Sequence, residues 1–433
     1  MNPERRRPPE RPGRGRRPAA RSGAAKPGGR FGVGKFGVGR LGGGKSGPPD
    51  GSPKRKLPWY HKALIIVGCL MVVVSGSVLA LTFRYDSMTD HEKILDDSIS
   101  GGLPRNGPWN FLVLGTDSRA GEAGDQAATS GANSDTILLV HIAEGLKKAF
   151  IVSIPRDSYS YVPAPGEDVA SLAVTQQPGF GSYIYKPAPG SGGGSLRKIN
   201  SAFADGGAAN TAKAVWWLTT TRTVTAENTV TYDRIPLNGA IIVNFNGIQQ
   251  MVDAVGGVRV CPPYTVPSNQ PGVSRHYPQY KDGWKKGRCY DMSGEEAQVF
   301  VRMRYDVPGG DFGRMKSQQL VMKALAEKAT SFGVLTNPAK LDGLLSSIAR
   351  SLTLDQSLNL RDLALALAGI SPNDLKFATL PFVKTERIDG IGSSVVLDMA
   401  KCEELFRAIM NDQTDEWLAA NPQSDVPSYE GTG

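Results

Sequence analysis

The stretches NFLVLGTDSR (residues 110–119), SDTILLVHI (134–142) and AFIVSIPRDSY (149–159) decide the fold. Each contains a short apolar run, rich in leucine or β-branched residues and bounded by polar residues, which is typical of a strand buried on both faces. The linker AEGLKK between the second and third runs suits a hairpin, and sequential strands usually pair. We therefore expect three neighbouring antiparallel strands.

An antiparallel order brings polar residues from three separate stretches to one edge of the sheet. That edge collects the end of the first strand, the start of the second and the end of the third. The residues predicted to meet there are Asp117, Arg119, Asp135, Arg156 and Asp157. Independent surface charges need not fall at one edge, so this convergence is the main functional signal. Residues 161–195, rich in Pro, Gly and Ser, are predicted to form a long loop beside it.

A second polar group follows near residue 300. Arg302 and Arg304 are two positions apart, so in an extended segment they share one face. The helix predicted from DFGRMKSQQ carries a polar stripe at spacing i, i+3, i+7, formed by Asp311, Arg314 and Gln318. Polar residues where a helix would otherwise bury apolar ones indicate a polar ligand.

The residue types at these positions favour phosphate chemistry. Carboxylates without histidine or cysteine partners prefer a hard cation such as Mg²⁺, which keeps phosphate oxygens and water among its ligands. Arginines form bidentate hydrogen bonds that suit phosphate. The two polar groups contain five of them: Arg119, Arg156, Arg302, Arg304 and Arg314. The sequence thus predicts a Mg²⁺-assisted diphosphate site. The alternative is an internal Arg–Asp network that only stabilises the sheet edge.

Other chemistries lack their motifs. The chain contains no P-loop, no GxSxG and no HExxH, and it has no CxxC or HxxxH pair that would suggest zinc. His141 lies within an apolar strand and is predicted to be a core residue rather than a catalyst.

The positive charge is concentrated at the N-terminus. Of 50 Lys and Arg and 41 Asp and Glu in 433 residues, residues 1–62 hold 17 and 3, which leaves the rest acidic by five charges. An acidic body argues against a soluble nucleic-acid binder, so no specific nucleic acid is expected as a partner. The Gly- and Pro-rich residues 1–59 are predicted to be a disordered tail.

An apolar segment follows the tail. Residues 63–83 contain no charge, and at 1.5 Å per residue they span roughly 30 Å, enough for a bilayer core. Because the cations precede the segment, the N-terminus is expected in the cytoplasm and the body outside, on a single-pass protein of the cell membrane in contact with membrane lipid. The predicted parts are a tail (1–59), a transmembrane signal anchor (60–85), a stalk (86–108), a catalytic domain (109–330), a C-terminal part of the same domain (331–411) and a flexible tail (412–433).

An external body permits disulfides. Cys261 and Cys289 are the predicted pair, because Cys69 lies in the predicted span and Cys402 lies far along the chain. Cys402 falls in the helical pattern MAKCEELFRAIM and is predicted to be a buried free thiol.

The chain resembles the LytR–CpsA–Psr family of cell-wall glycopolymer ligases, especially its actinobacterial members. The segments that carry the resemblance stand in family order over roughly residues 109–325: NFLVLGTDSR, SDTILLVHI, VSIPRDSY, KINSAFADGG, VNFNGIQQMVDAVGGVRVC and MSGEEAQVFVRMR followed by DFGRMKSQQ. The resemblance implies an α/β/α fold with a central mixed sheet flanked by helices.

The resemblance also implies an activity. Family members resemble phosphotransferases that take a glycopolymer from a polyprenyl diphosphate carrier and attach it to a muramic acid 6-hydroxyl of peptidoglycan. Asp117 and Asp135 match the family's Mg²⁺-associated acids. The positions that match residues around the diphosphate are Arg119, Arg156, Arg302, Arg304, Asp311, Arg314 and Gln318. Asp157 is the candidate general base. Trp216, Trp217 and Ile248 are candidates for an apolar channel, with ordinary core positions as the alternative.

Two positions depart from the family pattern. The family usually has arginine two residues before the SDT aspartate, where this chain has Asn133, and arginine before the final Gln-Gln, where it has Ser317. Both changes remove a cation near the diphosphate. They keep open a second function, a non-catalytic member that binds polyprenyl phosphate or cell wall. A third is a transcriptional attenuator, against which the acidic external body weighs.

Overall fold

Strand and helical patterns alternate along the body of the chain. The computed structural model describes residues 84–116, 134–266, 283–303, 311–360, 362–363, 367 and 369–422. Contacts divide the chain into Met1–Leu64 and Ile65–Gly433, and all described residues belong to the second unit. The predicted tail and nearly all of the predicted span lie outside the described residues. Within the part of the chain that the structure describes, none of the helices has the length and hydropathy needed to cross a bilayer.

The strands are β1 Asp90–Glu92, β2 Trp109–Thr116, β3 Ser134–Ile142, β4 Ala149–Ile154, β5 Tyr159–Val162, β6 Val174–Gly179, β7 Ser182–Pro187, β8 Ser195–Lys198, β9 Thr221–Val224, β10 Val230–Asp233, β11 Gly239–Asn244, β12 Val258–Val260, β13 Tyr290–Met292, β14 Leu352–Asp355, β15 Leu375–Thr379, β16 Phe382–Ile388 and β17 Gly392–Leu397. The helices are α1 Ser201–Leu218, α2 Phe245–Val255, α3 Gly294–Arg302, α4 Asp311–Ala329, α5 Phe332–Leu335, α6 Pro338–Ser351, α7 Met399–Met410 and α8 Thr414–Ala420.

Seven strands form the central sheet, in the order β1-β14-β11-β2-β3-β4-β15. The three strands predicted from the opening stretches, β2, β3 and β4, are antiparallel neighbours, as expected. β11 pairs with β2 and β15 pairs with β4, both in parallel, which makes the sheet mixed. The prediction of an α/β fold with a central mixed sheet and helices is confirmed.

Side chains of alternate strand residues point to opposite faces of the sheet, and helices cover both faces. On one face, Leu112 and Val152 pack in a cluster that includes Trp217 of α1 and side chains of α7. On the other face, Leu138 packs with Met322 of α4. Burying one such side chain fully contributes about 1.5–3 kcal/mol, so both faces stabilise the sheet.

One edge of the sheet collects polar strand ends. The antiparallel register places the end of β2, the start of β3 and the end of β4 together, and β15, parallel to β4, ends there too. We call this the site edge. The edge where β2 begins and β3 ends is called the opposite edge.

Residues 161–195 form hairpins rather than the predicted long loop. β5 pairs with β8, and β6 pairs with β7. The β6–β7 hairpin turns at Phe180 and Gly181, whose φ angles of 55° and 86° are both positive. Two consecutive positive φ angles are typical of a two-residue type I′ turn, which usually carries Asn, Asp or Gly first. Phe at that position concealed the turn in the sequence.

The segment predicted as a stalk contributes to the domain. β1 pairs with β14, and Oδ1 of Asp355 accepts hydrogen bonds from the backbone N–H groups of Ile94 and Leu95, each at 2.8 Å. Burial alone would raise the pKa of Asp355, but the hydrogen bonds outweigh it and the pKa is lowered. Residues 90–95 are therefore part of the fold, held by a buried carboxylate.

Helix α8 replaces the first part of the predicted flexible C-terminal tail. Its residues Trp417 and Leu418 are buried in the cluster that contains α1 and α7. Asp415 pairs with Lys148 at 2.6 Å and with Lys376, and these hydrogen bonds lower the pKa of Asp415. Two apolar residues are too few to give a helical periodicity in sequence, so the docking of α8 was missed. The rest of that tail, 423–433, lies outside the described residues.

Candidate active site

The predicted site residues fall into three groups. Described with their side chains are Arg156, Asp157, Arg302, Arg314 and Gln318. Asp135 and Asp311 are described by their backbone, as members of β3 and α4. Asp117, Arg119 and Arg304, like Asn133, lie outside the described residues.

Asp135 occupies an irregular position at the site edge. Thr116 pairs with Ser134, whereas the preceding Gly115 pairs with Thr136, so Asp135 is an extra residue in the register of β3. Bulges of this kind are frequent beside active sites because they change the direction of neighbouring side chains. Asp117, the other predicted metal ligand, follows Thr116 in the sequence and lies outside the described residues.

The segment after β4 places a charged group at the same edge. Ser158 N–H donates to the carbonyl of Pro155 at 2.9 Å, so the chain turns directly after the strand. Asp157 lies 3.9 Å from Nε of Arg156 and 3.2 Å from Nζ of Lys198, which is the last residue of β8. The structure thus adds Lys198 to the predicted group. The only sequence signal for it was its place in the KINSAF segment.

Two of the three residues of the predicted polar stripe on α4 are buried. The exposed fractions of Arg314 and Gln318 are only 2% and 7%, although both residues are polar. Thr136 Oγ1 donates to Oε1 of Gln318 at 3.1 Å, which ties α4 to the start of β3 beside Asp135. Gln318 therefore lies against the site edge, and neither Gln318 nor Arg314 faces solvent.

A second hydrogen bond fixes α4 to the sheet. Nε2 of Gln319 donates to Oγ of Ser153 at 2.9 Å, and both residues are buried. Sequence reasoning missed this pair, because Ser153 stands inside an apolar run and Gln319 lies off the predicted stripe. A cavity of about 500 Å³ opens next to Gln319, between α4, β15 and α8. Its walls include the apolar residues Leu320, Leu375, Phe377 and Leu418.

Ser317, where the family usually has arginine, is 1% exposed. Its hydroxyl contacts the hydroxyl of Tyr264, which also donates to the carbonyl of Gly313 at 2.8 Å. Burial raises the pKa of Tyr264 to about 12, although the hydrogen bond with Ser317 opposes this. A tyrosine from outside α4 thus packs on the position from which an arginine would extend.

Arg302 ends α3 and has an exposed side chain. The helix begins with a capping box, in which Ser293 accepts a hydrogen bond from the backbone of Glu296 and Glu296 accepts one from the backbone of Ser293. Residues 303–310 separate Arg302 from Asp311 at the start of α4. The sequence reasoning assumed an extended segment that contains both Arg302 and Arg304. Arg302 is instead the last residue of a helix, and Arg304 lies outside the described residues.

The cysteines take their predicted states. Cys261 and Cys289 form a disulfide with an S–S distance of 1.97 Å. Cys402 is a buried free thiol whose Sγ lies 3.4 Å from the carbonyl oxygen of Pro381, and burial raises its pKa. Cys69 lies outside the described residues.

The channel candidates from the sequence are core residues. Trp216 and Trp217 are buried on α1, and the guanidinium of Arg234 lies 4.4 and 4.5 Å from their ring centroids. Burial lowers the pKa of Arg234 to about 10. Ile248 is partly buried against a separate cluster around α2 and α3. These residues support the fold rather than line the cavity beside Gln319.

His141 is fully buried, as predicted. Its Nδ1 lies 2.8 Å from Oδ1 of Asn110, and its Nε2 lies 3.0 Å from Oδ1 of Asp412. Burial lowers the pKa of His141, and the Asp412 carboxylate opposes part of that shift. The group lies at the opposite edge, away from the predicted site residues.

The described residues do not include a complete set of metal ligands. Among the described residues, no group of three His, Cys, Asp or Glu side chains could hold a metal ion. The side chains of the two predicted ligands, Asp117 and Asp135, are not part of that set. Carboxylate oxygens are the donor type that suits a Mg²⁺ ion with its other ligands from substrate and water.

The chain belongs to the LytR–CpsA–Psr family, because the sequence profile of the LytR_cpsA_psr family matches residues 78–409. One relative, the cell wall biosynthesis protein LcpA of Corynebacterium glutamicum, is 25% identical over 372 residues, which cover 82% of this chain and 66% of LcpA. Another is the polyisoprenyl-teichoic acid–peptidoglycan teichoic acid transferase TagU of Bacillus cereus, 27% identical over 307 residues, which cover 68% of this chain and 81% of TagU.

Solved structures include similar chains. A LytR-Csp2A-Psr enzyme from Actinomyces oris matches with a TM-score of 0.46 and 18% identity, over 74% of this chain and 95% of the enzyme. TagT of Bacillus subtilis matches with a TM-score of 0.46 and 20% identity, over 75% of this chain and 99% of TagT.

Proposed function

We propose that the protein is a phosphotransferase that moves a glycopolymer from a polyprenyl diphosphate carrier to a muramic acid 6-hydroxyl of peptidoglycan. Membership of the family supports the proposal. The similarity to a cell wall biosynthesis protein and to a teichoic acid transferase supports it as well. The observation that carries it is the burial of the polar α4 residues Arg314 and Gln318, with Gln318 hydrogen-bonded to Thr136 beside Asp135.

The arginines would bind the diphosphate. Arg156, Arg302 and Arg314, with Arg119 and Arg304, would donate paired hydrogen bonds to its non-bridging oxygens and stabilise the charge that develops during transfer. In the reaction, the acceptor hydroxyl oxygen bonds to the phosphorus that carries the glycan. The bond from that phosphorus to the bridging oxygen breaks, and polyprenyl phosphate leaves. The hydroxyl proton goes to a base, for which Asp157 is the candidate.

We propose Mg²⁺ as the cofactor, held by Asp117 and Asp135. Support comes from the irregular register at Asp135 at the site edge and from predicted donors that consist of carboxylates alone. A bound Mg²⁺ would supply charge neutralisation to the phosphate oxygens. The cavity beside Gln319, whose lining combines apolar side chains with three lysines, is the proposed place for part of the polyprenyl chain.

The test is transfer of a polyprenyl-diphosphate-linked glycan to peptidoglycan by the full-length protein. Arg156→Ala should slow transfer by about 30- to 1,000-fold, because a charge-assisted contact to the transition state contributes about 2–4 kcal/mol. Arg259→Ala is the control, since Arg259 is an exposed arginine that pairs with Asp291 at 3.5 Å. Asp135→Ala should also slow transfer, and raised Mg²⁺ should restore part of the rate. Full activity in Arg156→Ala would assign the site edge a structural role.

We further propose that the protein is anchored in the cell membrane, with residues 1–59 in the cytoplasm and the domain outside. The uncharged residues 63–83 and the cations before them support this topology. Protease added to intact, wall-stripped cells should degrade the domain and spare the tail. Protection of the domain would contradict the topology without affecting the proposed chemistry.

A non-catalytic binder is the second candidate, and Ser317 is the observation that favours it. Tyr264 packs on Ser317 where the family usually has an arginine, so one cation is missing near the diphosphate. Tight binding of polyprenyl phosphate by the wild type without any transfer would support the binder. Transfer at a measurable rate would exclude it.

A further inference from the structure

Aromatic side chains gather at the site edge beyond β4 and β15. Tyr159, two residues after Asp157, contacts Phe180 edge to face with ring centroids 6.0 Å apart. Phe312, one residue after Asp311, stacks on Phe382 at 4.5 Å with an interplanar angle of 21°. We call these four residues, together with Val383, the aromatic platform.

The two aromatic pairs form one surface. Val383 follows Phe382 on β16, and its side chain lies at van der Waals distance from the position that a Cβ would take on Gly181, next to Phe180. The platform is exposed, with exposed fractions of 40% for Phe180, 36% for Phe382 and 44% for Val383. Several exposed apolar side chains close together are a feature of surfaces that bind a ligand or partner.

Phe180 occupies its place at a conformational cost. Its φ of 55° lies in the left-handed region, which bulky residues rarely adopt and which Asn or Gly would fill more easily in this turn. The strained backbone therefore holds a large ring at an exposed hairpin tip. A ring kept there against local preference points to a contact outside the chain.

The platform continues the candidate active site on two sides. Asp157 and its partner Lys198 adjoin it through Tyr159, which pairs with Lys198 in the β5–β8 ladder. The start of α4 adjoins it through Phe312. Two members of the platform, Tyr159 and Phe312, are thus within one or two positions in the sequence of predicted site residues.

We propose that the aromatic platform binds saccharide rings of the glycan that flanks the reacting phosphate. This inference rests on the proposed function for its substrate class. Sugar rings present C–H faces that pack on aromatic rings while their hydroxyls stay in water, and here the platform is aromatic rather than aliphatic. A lipid surface fits less well, because the neighbouring Lys384 is already paired with Glu386 at 2.5 Å and so adds no net positive charge.

Saccharide rings occur in both substrates, so the experiment has two arms. Full-length protein is titrated with phosphate-free peptidoglycan oligosaccharides and, separately, with glycopolymer released from its carrier. Phe180→Asn, which suits the backbone of the turn, should weaken binding of one of these ligands by roughly 3- to 10-fold, as expected for a lost aromatic contact. The affected arm identifies the source of the rings.

Two variants separate contact from folding. Phe180→Trp keeps a flat ring and should retain binding, whereas Phe180→Asn should lose it with an unfolding temperature no lower than that of the wild type. Val224→Asn is the matched control, since Val224 is an equally exposed apolar residue, at 47%, on the β9–β10 hairpin. In the transfer assay Phe180→Asn should raise KM for the same substrate and leave kcat unchanged.

The outcomes distinguish this inference from the proposed function. Binding of either saccharide that is lost in Phe180→Asn supports the platform even if the wild type transfers nothing. Normal transfer with unchanged KM for both substrates in Phe180→Asn and Phe382→Ser would overturn it while the function stands. Lipid adducts from a photoreactive phenylalanine at position 180, in full-length protein in vesicles, would also overturn it in favour of a membrane contact.

Discussion

Charge is arranged differently at the two edges of the central sheet. At the opposite edge, His141, Lys148 and Lys376 each face a carboxylate from Asp412 or Asp415. The acids thus come from one short stretch at the C-terminal side of the domain. That stretch joins α7 to α8, so these contacts hold the C-terminal helices against the sheet.

At the site edge the contributions come from many elements. Arg156 follows β4, Lys198 ends β8 and Arg314 lies on α4, while the predicted metal ligand Asp135 belongs to β3. A charged cluster assembled from several strand ends and helices is the usual construction of a binding site, whereas a single clamping segment is a structural device. The comparison therefore supports the proposal of ligand binding at the site edge, whereas the contacts at the opposite edge stabilise the fold.

Removing a cation that is predicted to bind the diphosphate should give the largest effect on activity. Arg302→Ala should slow glycan transfer by about 30- to 1,000-fold, because the guanidinium would contact the diphosphate. The loss corresponds to about 2–4 kcal/mol of transition-state stabilisation. Stability should change by less than about 0.5 kcal/mol, since the side chain is exposed. Transfer rates and denaturant midpoints measured on the same preparations check both parts. A loss of stability that parallels the loss of rate would remove the contrast between the edges.

Removing an opposite-edge acid should give the reverse pattern. Asp412→Ala leaves buried His141 without its carboxylate and leaves the backbone N–H of Glu144 without its partner at 3.1 Å. We expect a loss of about 1–3 kcal/mol in the free energy of unfolding. The transfer rate per folded molecule should stay unchanged. A large fall in that rate would show that the opposite edge contributes to function.

The pH dependence of stability should sharpen the comparison further. Because burial lowers the pKa of His141 below its ordinary value near 6.5, the unfolded chain binds this proton more readily than the folded chain. The contribution of His141 is therefore present above about pH 6.5 and is lost as pH falls below it, with a slope of at most about 1.4 kcal/mol per pH unit. His141→Gln should flatten the stability profile between about pH 6.5 and 5. A stability profile of His141→Gln that keeps the wild-type slope would contradict this assignment.

Deleting residues 1–58 should have the smallest effect. These residues lie across the proposed membrane from the site, so transfer by the truncated protein in vesicles should stay within about twofold of the wild type. The measurement is the same transfer assay at matched protein density. A loss beyond tenfold would assign the basic tail a part in the reaction.

Much of the architecture could be predicted because the decisive strands carry their own signals. The runs that became β2, β3 and β4 are apolar on both faces and linked by a short connection, so their pairing followed from the sequence. The buried stripe of Arg314 and Gln318 also followed from helical spacing. The convergence at the site edge was a consequence of that antiparallel order.

What the sequence could not give depends on contacts between distant residues. Tyr264 fills the space beside Ser317 from more than fifty positions away, and Lys198 reaches Asp157 through the β5–β8 pairing. The β6–β7 hairpin was missed because Phe180 conceals a turn that Asn or Gly would have marked. The docking of β1 on β14 has no local pattern, since three polar residues do not predict a strand.

The pairing of β1 with β14 also sets an order for folding. The hydrogen bond from Ile94 to Asp355 closes a loop of 261 residues, and closing such a loop costs about 5 kcal/mol of chain entropy. If the chain is exported from its N-terminus, residues 90–95 emerge first but have no partner strand until residue 355 has crossed. The outer strand of the sheet is therefore among the last to form, and a chain stopped before β14 leaves β11 as an open edge that is prone to pair with other chains.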